Sequence, residues 1–278
     1  MKRILILGAG GQLGRELVNL FPGSYGIYHG KSGDHEVDVS DLESLEKKIL
    51  AVSPGLIVNA SALANVDRCE REREYALKVN GCSVKVLAGC ARRLDIPMIH
   101  ISTDYVFDGN KGNYTEDDIP NPINYYGMSK LVGDIYANSY ENSIIVRTSG
   151  VYGYMSNFPT FVYKTLKDGK TVNAISGFYS PIHAGKLAEA IRELWDRDYR
   201  GIINVAGERV SRYDLAVHIA EFFGLTKDHI IEAGQVNSMT AKRPFDSSLD
   251  IGRAKSILPG DFYSLESNLD QFSKTVTK

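Results

Sequence analysis

Five short apolar runs mark the first half of the chain: Ile4 to Leu7, Tyr25 to Tyr28, Leu56 to Val58, Met98 to Ile101 and Ile144 to Val146. None alternates apolar and polar residues, as a strand with one wet face would, so each reads as a strand covered on both sides. Between them, 41–52, 66–94 and 124–140 carry the spacing of amphipathic helices. Strands and helices in alternation predict an α/β fold of the Rossmann type, a doubly wound parallel sheet whose chemistry lies at the carboxyl ends of its strands.

After Arg147 the rhythm changes. A loop at 150–157, a helix at Phe158 to Lys167, a strand at 171–175 and helices near 183–195 and 212–223 read as a smaller lobe, while Ile202 to Val205 returns as a strand to the sheet. The expected division is a dinucleotide-binding domain over 1–149 with about 180–206, and a substrate lobe over about 150–179 and 207–278. No Pro/Gly/Ser-rich linker separates the two, which predicts a close interface.

Of the 278 residues, 43% are hydrophobic, enough for a sizeable core. With 32 basic against 34 acidic residues the net charge is −2, which lacks the electrostatic footprint of a nucleic-acid binder. The apolar start is too short for a signal peptide or a membrane span, so a cytoplasmic protein is expected. Cys69, Cys82 and Cys90 lack CxxC spacing, and the six histidines lack HExxH spacing, so neither a disulfide framework nor a metal site is expected.

Gly8, Gly11 and Gly14 follow the first strand with GxxGxxG spacing, in the segment Gly8-Ala9-Gly10-Gly11-Gln12-Leu13-Gly14. Absent side chains let the backbone approach a pyrophosphate, and the N–H groups opening the next helix face the anion. The bland alternative is a glycine-rich turn without a ligand. The end of the second strand, Tyr28-His29-Gly30-Lys31, has no carboxylate to hold a ribose, and Lys31 is placed to meet a 2′-phosphate. NADPH is therefore expected over NADH, with NADH possible. Asp38, beside Val39, either touches the adenine or caps the helix beginning near Asp41.

Tyr126 and Lys130 stand at i and i+4 at the start of a helix, on one face. A neighbouring ammonium is expected to lower the phenol pKa and make a usable proton donor for ketone reduction. The alternative is a surface pair. Ser102-Thr103-Asp104-Tyr105, after the strand ending at Ile101, lies where a ligand crevice is expected, with Thr103 and Asp104 as polar contacts.

Together the glycine segment, Asn59-Ala60-Ser61, Val66-Asp67, Ser102 to Gly109, Tyr126 to Lys130, Arg147-Thr148-Ser149 with Val151-Tyr152-Gly153, Asn157-Phe158, Ala241 to Pro244 and Ser248-Leu249-Asp250 resemble the dTDP-4-dehydrorhamnose reductase family over nearly the whole chain. The resemblance implies reduction of the C4 ketone of dTDP-6-deoxy-L-lyxo-4-hexulose to dTDP-L-rhamnose. It makes Thr103, Tyr126 and Lys130 catalytic, and Tyr126 and Lys130 also contacts of the nicotinamide ribose. Ala60, Ser61 and Ala62, with Leu63, would line the cofactor groove; Asp104, Tyr105 and Arg243 would meet a nucleotide-sugar substrate. A homodimer is possible.

Two places depart from the family pattern. Gly150 stands where a tryptophan usually follows Arg-Thr-Ser, and Ile175 to Ile182, followed by His183, replaces a loop that usually reads Asp-Gln-x-Gly-x-Pro-Thr. Phe178, Tyr179 and His183 are the candidates to supply stacking and hydrogen bonds instead. The competing readings are another epimerase or reductase of the same superfamily, and a catalytically silent NADP-binding subunit like that of methionine adenosyltransferase. Tyr105 in place of a glutamate after Asp104 argues against a dehydratase.

Overall fold

A computed structural model describes residues 3–29, 35–234 and 240–276. The first half runs β1 (Ile4–Leu7), α1 (Gln12–Leu20), β2 (Tyr25–Ile27), α2 (Leu42–Val52), β3 (Leu56–Asn59), α3 (Val66–Arg71), α4 (Arg73–Leu77), a π turn at Lys78–Cys82, α5 (Ser83–Leu94), β4 (Met98–Ile101), a 3-10 turn at Asp104–Val106, α6 (Tyr125–Asn138) and β5 (Ser143–Arg147). The second half adds β6 (Val151–Tyr152), α7 (Phe158–Lys167), β7 (Val172–Ile175), β8 (Phe178–Tyr179), β9 (Ile182–His183), α8 (Ala184–Asp196), β10 (Gly201–Asn204), β11 (Val210–Ser211), α9 (Arg212–Phe222), β12 (Ile230–Ala233), α10 (Gly252–Ile257) and α11 (Leu265–Val276).

Six strands form one parallel sheet in the order β2-β1-β3-β4-β5-β10. The unalternating apolar runs have a direct cause. Ile6, Val58, Ile99 and Val146 bury one face beneath α1 and α8, while Leu5, Leu7, Ile57, Met98 and Ile145 bury the other beneath α2, α5 and α6. A third core gathers Val162, Leu166, Val172, Leu215, Ile219 and Phe272 from the second half of the chain.

Several helix starts are written locally. Asp41, Asn65, Asn124, Asn157 and Ser211 each accept a backbone N–H of the first turn, giving α2, α3, α6, α7 and α9 their starting points. The stretch 66–94, expected as one helix, breaks at Glu72 and widens into the π turn. There the Asn80 side chain accepts the Leu63 N–H at 2.8 Å and donates to the Leu63 carbonyl at 3.2 Å, tying the β3–α3 loop to the helix. Among the described residues, no helix is long and apolar enough to cross a membrane.

Candidate active site

The chain leaves β1 for β2 on one side of the sheet and returns to β3 on the other, so a crevice opens at the carboxyl ends of β1 and β3. It holds a groove of about 350 Å³ lined by Gly8, Gly10, Gly11, Tyr28, His29, Asp38, Val39 and Ala60 to Leu63, with Arg68, Tyr75 and Val79 opposite. Gly8 has φ +74°, and a Cβ there would lie 2.7 Å from the Ala60 carbonyl oxygen. A Cβ on Gly14 would stand 2.0 Å from the Gly8 carbonyl oxygen, so two glycines are needed for α1 to start this close to the sheet.

The cap residue of α1 is Gly11, which offers no side chain to its first N–H groups, leaving that end open to an anion. These features fit a dinucleotide. Leu13 packs in the core instead of the groove. The Gln12 side chain accepts the Met155 N–H at 2.9 Å, and the Tyr154 hydroxyl donates to the Gly11 carbonyl at 3.1 Å, so the β6–α7 loop braces the glycine turn. Asp38 borders the groove and accepts the Ser40 N–H at 2.9 Å; the α2 cap is Asp41, not Asp38. Lys31 lies outside the described residues.

Tyr126 and Lys130 sit on the first two turns of α6, against the turn that follows β4. Gly127 permits this approach: a Cβ on it would meet the Tyr105 carbonyl oxygen at 2.0 Å. The Thr103 hydroxyl faces the Tyr126 phenol, and the Tyr105 ring packs edge-on against Tyr126 at 5.9 Å between centroids.

The expected lowering of the phenol pKa by Lys130 is not what the geometry produces. Burial pushes Tyr126 well above its usual value, with Thr103 only partly offsetting the rise. The Lys130 amine instead donates to the Ile101 carbonyl at 2.6 Å, and burial pulls its pKa down to about 8 against the opposing pull of Asp134. Desolvation is the largest influence on both groups.

Asp104 is buried and accepts hydrogen bonds from Thr103 at 3.0 Å, Ser149 at 2.7 Å and Ser247 at 2.6 Å. It ties the segments at Ser149 and Ser247 to the turn after β4, and burial pushes its pKa up despite those donors. Arg243 forms an ion pair with Asp67 at 2.9 Å, and Asp67 also accepts the Ala241 N–H at 2.9 Å.

Gly150 has a structural counterpart: a Cβ there would lie 2.8 Å from the Tyr179 ring, so an aromatic residue at 179 occupies the space beside it. Phe178 packs edge-on to Phe245 beneath the Arg209 guanidinium. His183 is engaged elsewhere. It caps α8 by accepting the Gly185 N–H at 3.1 Å, and burial lowers its pKa to about 4.

Two groups of buried polar residues went unread in the sequence. Asn80 donates to the Ser129 hydroxyl at 2.9 Å, linking the π turn to α6. Beneath Lys130, Asp134 pairs with Arg147 at 3.3 Å and stands 3.7 Å from His100, which in turn contacts Asn59 at 3.1 Å. An asparagine inside a helical pattern and a histidine inside a strand are the faint signals for these, since polar groups buried in core elements need partners.

Residues 1–277 match the model of the RmlD substrate binding domain family. A dTDP-4-dehydrorhamnose reductase from Aggregatibacter actinomycetemcomitans is 34% identical, over 99% of this chain and all of that protein. The crystal structure of a hypothetical dTDP-4-dehydrorhamnose reductase from Sulfolobus tokodaii superposes with TM-score 0.92 at 48% identity, covering 97% of this chain and 98% of that one. The fold likeness extends to a dTDP-4-dehydrorhamnose reductase from Bacillus anthracis in complex with NADP, at TM-score 0.88 and 24% identity over 98% of this chain and 99% of that one. The chain belongs to the dTDP-4-dehydrorhamnose reductase family of oxidoreductases.

Proposed function

We propose that the chain reduces the C4 ketone of a nucleotide-linked 6-deoxy-4-keto-hexose, dTDP-6-deoxy-L-lyxo-4-hexulose to dTDP-L-rhamnose, with Tyr126 as proton donor. The observation that carries this reading is the meeting of Thr103, Tyr126 and Lys130 at the end of β4, beside the glycine-lined groove. NADPH bound in that groove would supply the hydride. The carboxylate-free end of β2 at Tyr28 and His29 favours it over NADH, and the NADP-bound neighbour supports a nicotinamide dinucleotide.

The chain's own residues account for the rest. Burial keeps the Tyr126 phenol protonated, the form needed to hand a proton to the developing alkoxide. The Thr103 hydroxyl faces the phenol and offsets part of the rise that burial causes. Lys130, held at the Ile101 carbonyl, keeps a positive charge beneath the site up to about its pKa of 8. Ala60, Ser61 and Ala62 form the wall of the cofactor groove, and Asp104 holds the Thr103 hydroxyl in place, with Tyr105 beside the substrate.

The test follows NADPH absorbance with the hexulose generated in place. Wild type should oxidise NADPH only with substrate present and yield dTDP-L-rhamnose. Tyr126→Phe should lose about 10²–10⁴-fold in turnover, the usual worth of a positioned acid, with NADPH affinity nearly unchanged. Turnover that survives the substitution refutes the mechanism. NADPH binding without oxidation by wild type points instead to the silent-subunit reading.

A further inference from the structure

We propose that His100, buried in β4, is a positioning residue for the reduction: it holds the Asp134 carboxylate in the orientation that supports the charge of Lys130. Its effect on turnover rests on the reductase reading above. The bonds around the ring allow one proton arrangement. The Ser61 backbone N–H donates to Asn59 Oδ1 at 3.2 Å, and the Ser61 hydroxyl donates to the same atom at 2.6 Å. Asn59 Nδ2 is thereby the donor end of the amide, and it lies 3.1 Å from His100 Nδ1. Nδ1 therefore accepts, and the proton of the neutral ring stands on Nε2. Complete burial, with the Lys130 ammonium nearby, pulls the His100 pKa well below its usual value and keeps the ring neutral.

The Nε2–H faces Asp134. Nε2 stands 3.7 Å from the carboxylate Oδ1, and both atoms are buried without a hydrogen-bond partner among the described residues. A shift of roughly 0.8 Å brings them to an ordinary N–H···O distance, and buried donors and acceptors in native proteins are paired. Gly133 makes room for the approach: a Cβ there would lie 3.2 Å from His100 Nε2. The second carboxylate oxygen, Oδ2, accepts from Arg147 Nε at 3.3 Å. One donor at each oxygen stops the carboxylate from turning. The Ser102 hydroxyl also faces Asp134, but its proton rotates, whereas the histidine proton is set by the bonds running back to Ser61 at the cofactor groove.

The consequence lies in charge. Lys130 and Asp134 on α6 and Arg147 on β5 are the charged groups packed about the ring, while β3 presents the neutral Asn59. One carboxylate thus serves two buried cations. Burial pulls the Lys130 pKa down to about 8, and Asp134 opposes that pull only while it is ionised. Burial also raises the Asp134 pKa, so each donor to its oxygens helps to keep it charged. A histidine that served packing alone would leave the Lys130 charge unchanged on replacement.

The experiment compares the full chain with His100→Gln, His100→Asn and Asp134→Asn. Glutamine carries an N–H at the place of Nε2, whereas asparagine keeps an acceptor at the place of Nδ1 and loses the donor to Asp134. Lys130 is titrated through the NMR signal of its isotope-labelled Cε, assigned with Lys130→Arg, and through kcat/KM of NADPH oxidation against pH. The wild-type midpoint should be about 8 in both. Asp134→Asn should lower it by about one unit, the low end for a lost counter-charge. His100→Asn should lower it too, His100→Gln should leave it in place, and His100→Asn added to Asp134→Asn should cause no further fall. The ring nitrogen signals of wild-type His100 should report a neutral ring with its proton on Nε2.

A Lys130 midpoint that is the same in wild type and His100→Asn overturns the inference, and so does an equal fall in His100→Asn and His100→Gln. If the Lys130 signal moves as expected while NADPH is not oxidised with substrate, the reductase reading fails and the hold of His100 on Asp134 stands. If NADPH is oxidised and the midpoint ignores both histidine variants, the reverse holds. Should a variant fail to fold, the wild-type ring decides: a proton on Nε2 supports the role, and a proton on Nδ1 or a charged ring at neutral pH removes it.

Discussion

Gly127→Ala tests whether the close approach of α6 to the β4 turn is what builds the site. The added Cβ would lie 2.0 Å from the Tyr105 carbonyl oxygen and 2.9 Å from its carbon, with the Pro122 Cβ at 3.0 Å. Ordinary contact begins near 3.4 Å, so α6 and the turn must separate by roughly 1.4 Å. Two of the three obstructing atoms are backbone, and no rotamer change relieves them. Forced overpacking costs about 1–3 kcal/mol.

Tyr126 rides on α6 and Thr103 on the turn, so their separation opens by about the same distance. A misplacement of that size lowers kcat/KM by about 10²-fold. The assay is substrate-dependent NADPH oxidation, alongside thermal melting and NADPH affinity. Gly89→Ala is the internal control, because nothing lies within 4 Å of its added Cβ at an exposed position of α5; it should gain roughly 0.4–1 kcal/mol and keep full activity. A Gly127→Ala variant with wild-type kcat/KM refutes the claim that this glycine sets the Tyr126–Thr103 geometry.

Two further outcomes follow from the same packing and charges. Reductase kcat/KM should decline as pH rises through about 8, where buried Lys130 loses its proton, in place of the higher range of an exposed lysine. Asp134→Asn removes the charge that opposes this lowering, so the decline should move to lower pH; a profile flat from about pH 7 to 10 in both proteins contradicts the assignment. Gly150→Trp should destabilise the chain by about 1–3 kcal/mol, because the Tyr179 ring stands 2.8 Å from the added Cβ. Adding Tyr179→Gly should recover part of that loss, and strict additivity in a double-mutant cycle would show that the two positions do not share space.

Much of the frame is written locally. The strands of the sheet announce themselves because double-sided burial forbids polar alternation, and Asp41, Asn124 and Asn157 cap helices by a bond to a neighbour only three residues on. Tyr126 and Lys130 are legible as one helix face for the same reason: their spacing is a property of the helix alone. What each group touches is decided by residues far away in the chain. Lys130 reaches Ile101 across 29 positions, Asn80 reaches Ser129 across 49, and Asp104 is clasped by Ser247 across 143. Burial by these remote neighbours reverses the expected direction of the Tyr126 shift, since desolvation depends on everything packed around the phenol, whereas sequence spacing reports only its helical neighbour. The exchange of aromatic space between Gly150 and Tyr179 belongs to the same class, for it exists only once the β8 segment folds back over the end of β5.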